Sequence, residues 1–214
     1  VELAIDTYLH SHNIESLNAL SLAVAGPVID QSVTFPNNHW QIDCRSLSKR
    51  YNTSNAWLLN DWEAIAYSLV QLNQADLMTI GSTSGSNQAG ANRTTYAAVG
   101  PGSGLGVTGL CSNNGVLHPL VTEGGHVGFA AESKLQLQIL DFLHVKFDDR
   151  VSRERLLSGP GLVNIHEALC AIHGKQNPGL IAADIAVAGI SRTDPMCTET
   201  LDLFFEILGQ VAGD

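Results

Sequence analysis

The spacing of apolar positions predicts a mixed α/β first half and a mostly helical second half. Near-helical spacing predicts an amphipathic helix over 1–12. Two apolar runs, 17–25 and 28–35, flank a Gly-Pro pair and predict a β-hairpin. Further helices are predicted over 44–51, 135–143, 162–173, 180–189 and 194–211. Ser152 is expected to cap a short helix that holds Glu154 in its first turn, and 158–161 to break the chain.

A strand is predicted to meet a helix at Asn60 and Asp61. The apolar run 56–59 precedes this pair, and the apolar stripe of a helix follows it at Trp62, Ile65, Ala66, Leu69 and Val70. Ligands of α/β sheets bind at the carboxyl ends of strands, so the pair is a candidate site. The alternative is that Asn60 only caps the helix, with Glu63 completing a capping box.

The segment from Thr94 to His126 is rich in glycine. An apolar run, Tyr96–Val99, predicts a buried strand, and Ser103 follows it among glycines at alternate positions: Gly100, Gly102, Gly104 and Gly106. Glycines let backbone N–H groups approach a ligand, and the common ligand of clustered N–H groups is phosphate. A simple turn needs one or two glycines, so four favour a ligand-binding loop.

Two familiar phosphate motifs do not describe this loop. It lacks the G-x-x-x-x-G-K-[ST] sequence of a Walker loop. A G-x-G-x-x-G is present at Gly104, Gly106 and Gly109, but it indicates dinucleotide binding only if a helix follows. Instead, Asn113-Asn114-Gly115 separates two apolar runs, 107–112 and 116–121, which predicts a hairpin. The dinucleotide interpretation therefore fails on its context.

The composition and charge of the chain argue against some classes of binding partner. The 214 residues suffice for one large or two small domains, and 44% of them are hydrophobic. A net charge of -10 and no basic patch argue against nucleic acid, and imply that a nucleotide would arrive with Mg²⁺. No apolar run reaches membrane-spanning length. The four cysteines form no C-x-x-C, as expected for reduced buried thiols of a cytoplasmic protein.

Four polar side chains together are a candidate binding site: Asp61, Glu123, His126 and Glu154. A polyol needs several carboxylates, because each carboxylate oxygen accepts hydrogen bonds from hydroxyls. One carboxylate can also take a hydroxyl proton as general base. With a phosphate loop, such a cluster suggests phosphoryl transfer to a sugar. The alternatives are structural roles. A glutamate such as Glu154 is favourable at the amino end of a helix, and His126 could be a core histidine whose hydrogen bonds are all made within the protein.

Six segments then carry a family resemblance: AVAGPV (23–28), NNHW (37–40), LLNDWEAIA (58–66), VGPGSGLGV (99–107), EGGHVGFA (123–130) and RERLLSGPGLVN (153–164). In this order, and over nearly the whole chain, they resemble the bacterial glucokinase family. The resemblance implies an α/β, two-lobed, actin-like ATPase (ribonuclease H-like) fold, present in part. It implies a small lobe over 1–93, with the sugar-facing loop and catalytic residue, and a large lobe over 94–214.

The resemblance also implies roles for the site residues. Asp61 would be the catalytic base, with Asn60 binding the sugar beside it and Asn37 in the sugar-facing loop. Glu123, His126 and Glu154 would complete the hydroxyl cage. The ATP phosphates would meet the loop of Gly100, Gly102, Ser103, Gly104 and Gly106. The family usually has Thr where this chain has Ser103, so the hydroxyl is kept.

The implied activity is ATP-dependent phosphorylation of glucose to glucose 6-phosphate, the first step of glycolysis. Glucose and Mg-ATP would be the ligands, in a cytoplasmic protein that could form a homodimer. The alternatives are a non-catalytic sugar-binding or regulatory module, a kinase for another hexose, and a dehydrogenase, which would require a helix after Gly109. The related repressors and sugar kinases follow Glu-x-Gly-His with zinc cysteines, but 127–150 holds no Cys, which disfavours zinc.

Two family motifs are absent: an amino-terminal Asp-Gly-Gly-Thr hairpin and an adenosine-binding Gly-Gly segment. We therefore expect a fragment with the sugar site and half of the nucleotide site. Calorimetric titration of this 214-residue chain is expected to show weak or no glucose binding and no turnover. Tight Mg-ATP binding, or measurable turnover, would contradict this expectation.

Overall fold

The computed structural model describes residues 1–35, 40–81 and 93–214. Contacts divide the chain into two compact units. The first unit comprises residues 1–97 and 108–121, and the second comprises residues 98–107 and 122–214. The lobes expected at 1–93 and 94–214 stay a prediction.

Strands and short helices are interspersed as far as β7. The elements are α1 (Glu2–Ser11), β1 (Leu20–Val24), β2 (Ser32–Thr34), β3 (Gln41–Asp43), α2 (Cys44–Arg50), β4 (Ala56–Asn60), α3 (Asp61–Ser68), β5 (Arg93–Pro101), β6 (Leu105–Asn113) and β7 (Val116–Val121). Helices dominate the remainder: α4 (Lys134–Phe147), α5 (Gly159–Ile172), α6 (Ala182–Ile190) and α7 (Pro195–Gly213). Short 3₁₀ turns occur at Gln74–Asp76, Gly124–His126 and Arg153–Arg155.

The first unit contains a parallel strand pair where the sequence predicted a hairpin. β1 runs parallel to β4, with Leu20 opposite Ala56 and Val24 opposite Asn60. The run over 28–35 does not return along β1, because β2 pairs antiparallel with β3 instead. The chain turns away through two residues with positive φ, Asp30 and Gln31. The predicted hairpin is therefore wrong, and its place beside β1 is taken by β4.

The second predicted hairpin is confirmed. β6 and β7 pair antiparallel, from Thr108 opposite Val121 to Asn113 opposite Val116. Asn114 and Gly115 make the turn with φ of 50° and 81°, as a two-residue hairpin loop with positive φ at both positions requires. Gly109 lies inside β6 and no helix follows it. The dinucleotide alternative is therefore wrong.

Four helices surround the core of the second unit. The fully buried apolar side chains include Ile139, Leu143, Ile165, Leu169, Ile185 and Ile207. These helices confirm the ones predicted from apolar spacing, with ends that differ by a few residues. Within the described residues, no helix is both long enough and apolar enough to cross a membrane.

Two predictions of helix starts need correction. Residues 158–161 do not break the chain, because Ser158 caps α5 by accepting the Gly161 N–H at 3.0 Å. Pro160 fits the first turn, where a missing N–H leaves no hydrogen bond unmade. Ser152 does precede a short helical turn, but its side chain makes no capping hydrogen bond.

Asp194 supplies a testable helix cap. Its carboxylate accepts the Cys197 N–H at 2.8 Å, and this hydrogen bond lowers the pKa of Asp194. Asp194→Ala should reduce the free energy of unfolding by about 0.5–2 kcal/mol at neutral pH, whereas Asp194→Asn keeps the acceptor and should cost much less. Urea titrations of both variants measure this difference.

The same cap predicts a pH dependence. A carboxyl with a lowered folded-state pKa stabilises the protein above its unfolded-state pKa, and the contribution disappears as pH falls through the folded-state pKa. The stability of the parent should therefore fall towards that of Asp194→Asn below the ordinary aspartate range. A stability difference that is constant through this acid range would contradict the role of the Asp194 charge.

Candidate active site

A tight turn of Gly102, Ser103 and Gly104 joins β5 to β6. The Gly102 N–H donates to the Gly104 carbonyl at 2.7 Å, and the Gly159 N–H donates to the Gly102 carbonyl at 2.8 Å. Ser103 is exposed at the tip. In the described part of the chain, its hydroxyl, its N–H and the Gly104 N–H have no hydrogen-bond partner. Two backbone donors and one hydroxyl are thus available to a ligand oxyanion.

The carboxylate of Glu154 reaches the start of β6. Its Oε2 accepts the Leu105 N–H at 2.9 Å. A Cβ built on Gly104 would collide with that same Oε2. Gly104 is therefore needed for the contact with Glu154, whatever the loop binds.

The Glu-Gly-Gly-His segment packs on the same end of β6. A Cβ on Gly125 would overlap the Leu105 carbonyl, and one on Gly124 would lie 2.8 Å from Val107 Cβ. Thr122, which the sequence analysis did not select, fixes the turn. Its hydroxyl donates to the Val107 carbonyl at 2.9 Å and accepts the Gly124 N–H at 3.1 Å. Two glycines without side chains thus let this turn lie against the strand.

Backbone hydrogen bonds bring Glu154 beside this turn. The Arg153 N–H donates to the Val127 carbonyl at 2.8 Å, and the Phe129 N–H donates to the Val151 carbonyl at 2.9 Å. These two bonds join the stretch after His126 to the stretch before Glu154. The pairing explains how residues far apart in sequence share one site.

The three predicted cage residues of the second unit lie together. His126 Nε2 is 3.6 Å from Glu123 Oε2, and His126 Nδ1 is 4.0 Å from Glu154 Oε1. The exposed fractions of the side chains are 58% for His126, 81% for Glu123 and 32% for Glu154. At such distances and exposures the pairs add little stability. Their acceptor oxygens and ring nitrogens are available to hydroxyl groups instead.

Asn60 and Asp61 are adjacent in the first unit. Asn60 Oδ1 accepts the N–H groups of Trp62 (2.9 Å) and Glu63 (3.4 Å), and Asn60 Nδ2 donates to the Gly26 carbonyl at 3.3 Å. Asn60 therefore caps α3 as the alternative predicted, but the described residues show no capping box completed by Glu63, and the sugar contact of Asn60 stays a prediction. Asp61 Oδ1 accepts the Trp62 N–H at 3.0 Å. Among the described residues, Asp61 Oδ2 has no hydrogen-bond partner.

Asn37 lies outside the described residues. Gly100 ends up in β5 and Gly106 in β6, on either side of the turn. In the described ranges, no group of three or more His, Cys, Asp and Glu side chains could hold a metal ion.

Solved structures define the class of the fold. A glucokinase from an Antarctic psychrotroph superposes with a TM-score of 0.85 at 29% identity, over 100% of this chain and 65% of that one. A glucokinase from Balamuthia mandrillaris, solved with glucose, gives a TM-score of 0.76 at 20% identity, over 99% and 65%. At that identity the second likeness concerns the fold alone. The chain has the mixed α/β, actin-like ATPase fold of these proteins, in part.

Sequence comparison adds the family. The family model described as Glucokinase matches residues 1–214, and the chain belongs to the glucokinase family. It is 34% identical to a glucokinase of Chromobacterium violaceum, over 100% of this chain and 60% of that protein. It is 35% identical to one of Marinobacter nauticus, over 100% and 65%. The chain thus spans less than two thirds of the length of these relatives.

The packing of the Glu-Gly-Gly-His segment predicts that alanine substitution is costly at Gly125, inside the segment, and harmless at Gly128, just after it. Gly125→Ala should destabilise the protein by about 1–3 kcal/mol or more, because the new methyl group overlaps a backbone carbonyl that cannot rotate away. Gly128→Ala is the matched control, since its Cβ would meet nothing within 4 Å. Thermal unfolding measures both. Equal melting temperatures for the two variants would contradict this account of the turn.

Proposed function

We propose that the full-length protein transfers the terminal phosphoryl group of ATP to glucose, giving glucose 6-phosphate and ADP. One observation carries the proposal. In the second unit, Glu154 accepts the Leu105 N–H directly after the glycine turn, and its other carboxylate oxygen lies 4.0 Å from the His126 ring. Groups that can donate to phosphate and groups that can accept from sugar hydroxyls thus lie on either side of Glu154.

The sugar side rests on the cluster around His126. Glu123 and the outer oxygen of Glu154 can accept hydrogen bonds from hydroxyls, and the ring can donate or accept. The relatives are named as glucokinases. These names support glucose over other hexoses.

The phosphate side rests on the glycine turn. The N–H groups of Ser103 and Gly104 and the Ser103 hydroxyl are available to phosphate oxygens. A chain of net charge -10 repels a bare nucleotide, so the nucleotide would bind with Mg²⁺ on its own phosphates. When bound, Mg²⁺ would neutralise charge on the phosphates.

Asp61 is the proposed base. The Trp62 N–H holds one of its oxygens at 3.0 Å, which fixes the carboxylate at the start of α3. The other oxygen can take the proton of the sugar hydroxyl. That hydroxyl oxygen then forms a bond to the terminal phosphorus of ATP as the bond to ADP breaks. Asn60, which caps the same helix, would position Asp61 and meet the sugar beside it.

The alternatives are less well supported. A non-catalytic sugar-binding module would need neither free N–H groups on the turn nor an unpaired oxygen on Asp61. A cytoplasmic location and a homodimer both stay predictions.

A coupled ADP-release assay on the full-length protein tests the proposal. We expect ADP release that depends on glucose, and weaker release with other hexoses. If ADP release does not rise above background when glucose is added, the kinase assignment is wrong and a binding module takes its place.

Asp61→Asn tests the base. The amide keeps the shape and the acceptor for the Trp62 N–H but cannot accept the proton. General-base catalysis contributes about 10²–10⁴-fold, so kcat should fall by that order while glucose affinity largely survives. Glu63→Gln, in the same first turn of α3, is the control and should leave kcat close to that of the parent. A kcat for Asp61→Asn within about threefold of the parent would reduce Asp61 to a structural role.

A further inference from the structure

Both ends of the glycine turn are tied to one segment, residues 154–159. Directly after the turn, Leu105 donates its N–H to the Glu154 carboxylate at 2.9 Å. At the start of the turn, the Gly102 carbonyl accepts the Gly159 N–H at 2.8 Å. Ser158 braces the segment, because its hydroxyl donates to the Glu154 carbonyl at 2.7 Å. Among the described residues, the N–H groups of Ser103 and Gly104 at the tip have no hydrogen-bond partner.

The two oxygens of Glu154 face different partners. Oε2 accepts the Leu105 N–H, and Oε1 is 4.0 Å from His126 Nδ1 in the cluster proposed to hold the sugar. The side chain is only 32% exposed, and its carboxylate lies between the Leu105 N–H and the His126 ring. A hydrogen bond from an N–H to a charged carboxylate is stronger than one between neutral groups. The contact can therefore hold the turn in one conformation.

We propose that Glu154 is a positioning residue for the phosphate-binding turn, in addition to any contact it makes with the sugar. The proposal rests on the kinase function proposed above. Glu154 holds the Leu105 N–H and so keeps the turn in the shape that leaves the Ser103 and Gly104 N–H groups free for phosphate. A turn that is already in its binding shape loses less conformational freedom when the nucleotide arrives.

A residue that only binds sugar makes a different prediction from a positioning residue. If Glu154 served the sugar alone, its replacement would change glucose affinity and leave nucleotide binding to the sugar-free protein unaltered. If Glu154 positions the turn, losing its acceptor must weaken nucleotide binding even when no sugar is present.

Two substitutions separate these roles in the full-length protein. In Glu154→Gln the amide oxygen can still accept the Leu105 N–H, while the NH₂ group replaces the oxygen that faces His126. Glu154→Ala removes both contacts. The measurement is calorimetric titration with Mg²⁺ and a non-hydrolysable ATP analogue without sugar, followed by KM for glucose in the coupled assay.

We expect Glu154→Ala to weaken analogue binding by about fivefold or more, the equivalent of one lost hydrogen bond. Glu154→Gln should bind the analogue within about twofold of the parent, while its KM for glucose rises about tenfold or more. Hydrogen exchange at the Leu105 amide should accelerate in Glu154→Ala and not in Glu154→Gln. Analogue affinity unchanged in Glu154→Ala, or weakened equally in both variants, would overturn the proposal.

A second pair of variants covers the case in which Glu154→Ala does not fold. Gly104→Ala places a methyl group against Oε2 and should displace the carboxylate from Leu105, whereas a Cβ on Gly102 would meet only the Gly104 carbonyl at 4.0 Å. Analogue binding and Leu105 exchange should change more in Gly104→Ala than in Gly102→Ala, and equal changes would overturn the proposal. A folded parent that lacks glucose-dependent ADP release would instead overturn the kinase function, and Leu105 exchange would still decide whether Glu154 holds the turn.

Discussion

The hydrogen-bonded and packed position of Leu105 is the constraint on which the second unit's site depends. Its N–H is held by Glu154, its carbonyl lies against Gly125, and its side chain is 5% exposed in the core. Three segments that are distant in sequence therefore meet at one residue. They can do so because Gly104 and Gly125 have no Cβ at the points of closest approach. Part of the glycine content of this region thus serves packing rather than ligand binding.

The same constraint explains where an anion can and cannot bind. A helix amino end commonly binds phosphate, because its first N–H groups lack partners. In α5 those groups are occupied: Gly159 donates to the Gly102 carbonyl, Gly161 to the Ser158 hydroxyl, and Leu162 to the Ser158 carbonyl. Pro160 has no N–H to offer. The amino end of α5 is therefore bonded to the glycine turn. The N–H groups that remain free for an anion are those of Ser103 and Gly104, at the tip of that turn.

Local sequence signals predicted the parts of the fold that depend on local physics. Apolar spacing predicted the helices, Asn114-Gly115 predicted the hairpin, and the strand-to-helix junction at Asn60 and Asp61 was placed correctly. The partner of β1 was predicted wrongly, because parallel pairing with β4 joins segments that no local pattern relates. The contact of Glu154 with Leu105 spans 49 positions and was missed for the same reason. The sequence supplied both residues, but only the fold shows that they touch.

In our proposal, the Glu154 carboxylate serves both the sugar and the phosphate-binding turn. The most direct test is a crystal structure of the full-length protein with glucose and a non-hydrolysable ATP analogue. We expect Glu154 to keep one oxygen on the Leu105 N–H while its other oxygen accepts a sugar hydroxyl. We also expect the N–H groups of Ser103 and Gly104 to contact phosphate oxygens. A structure in which glucose binds while Glu154 turns away from Leu105, or in which the phosphates bind elsewhere, would contradict it.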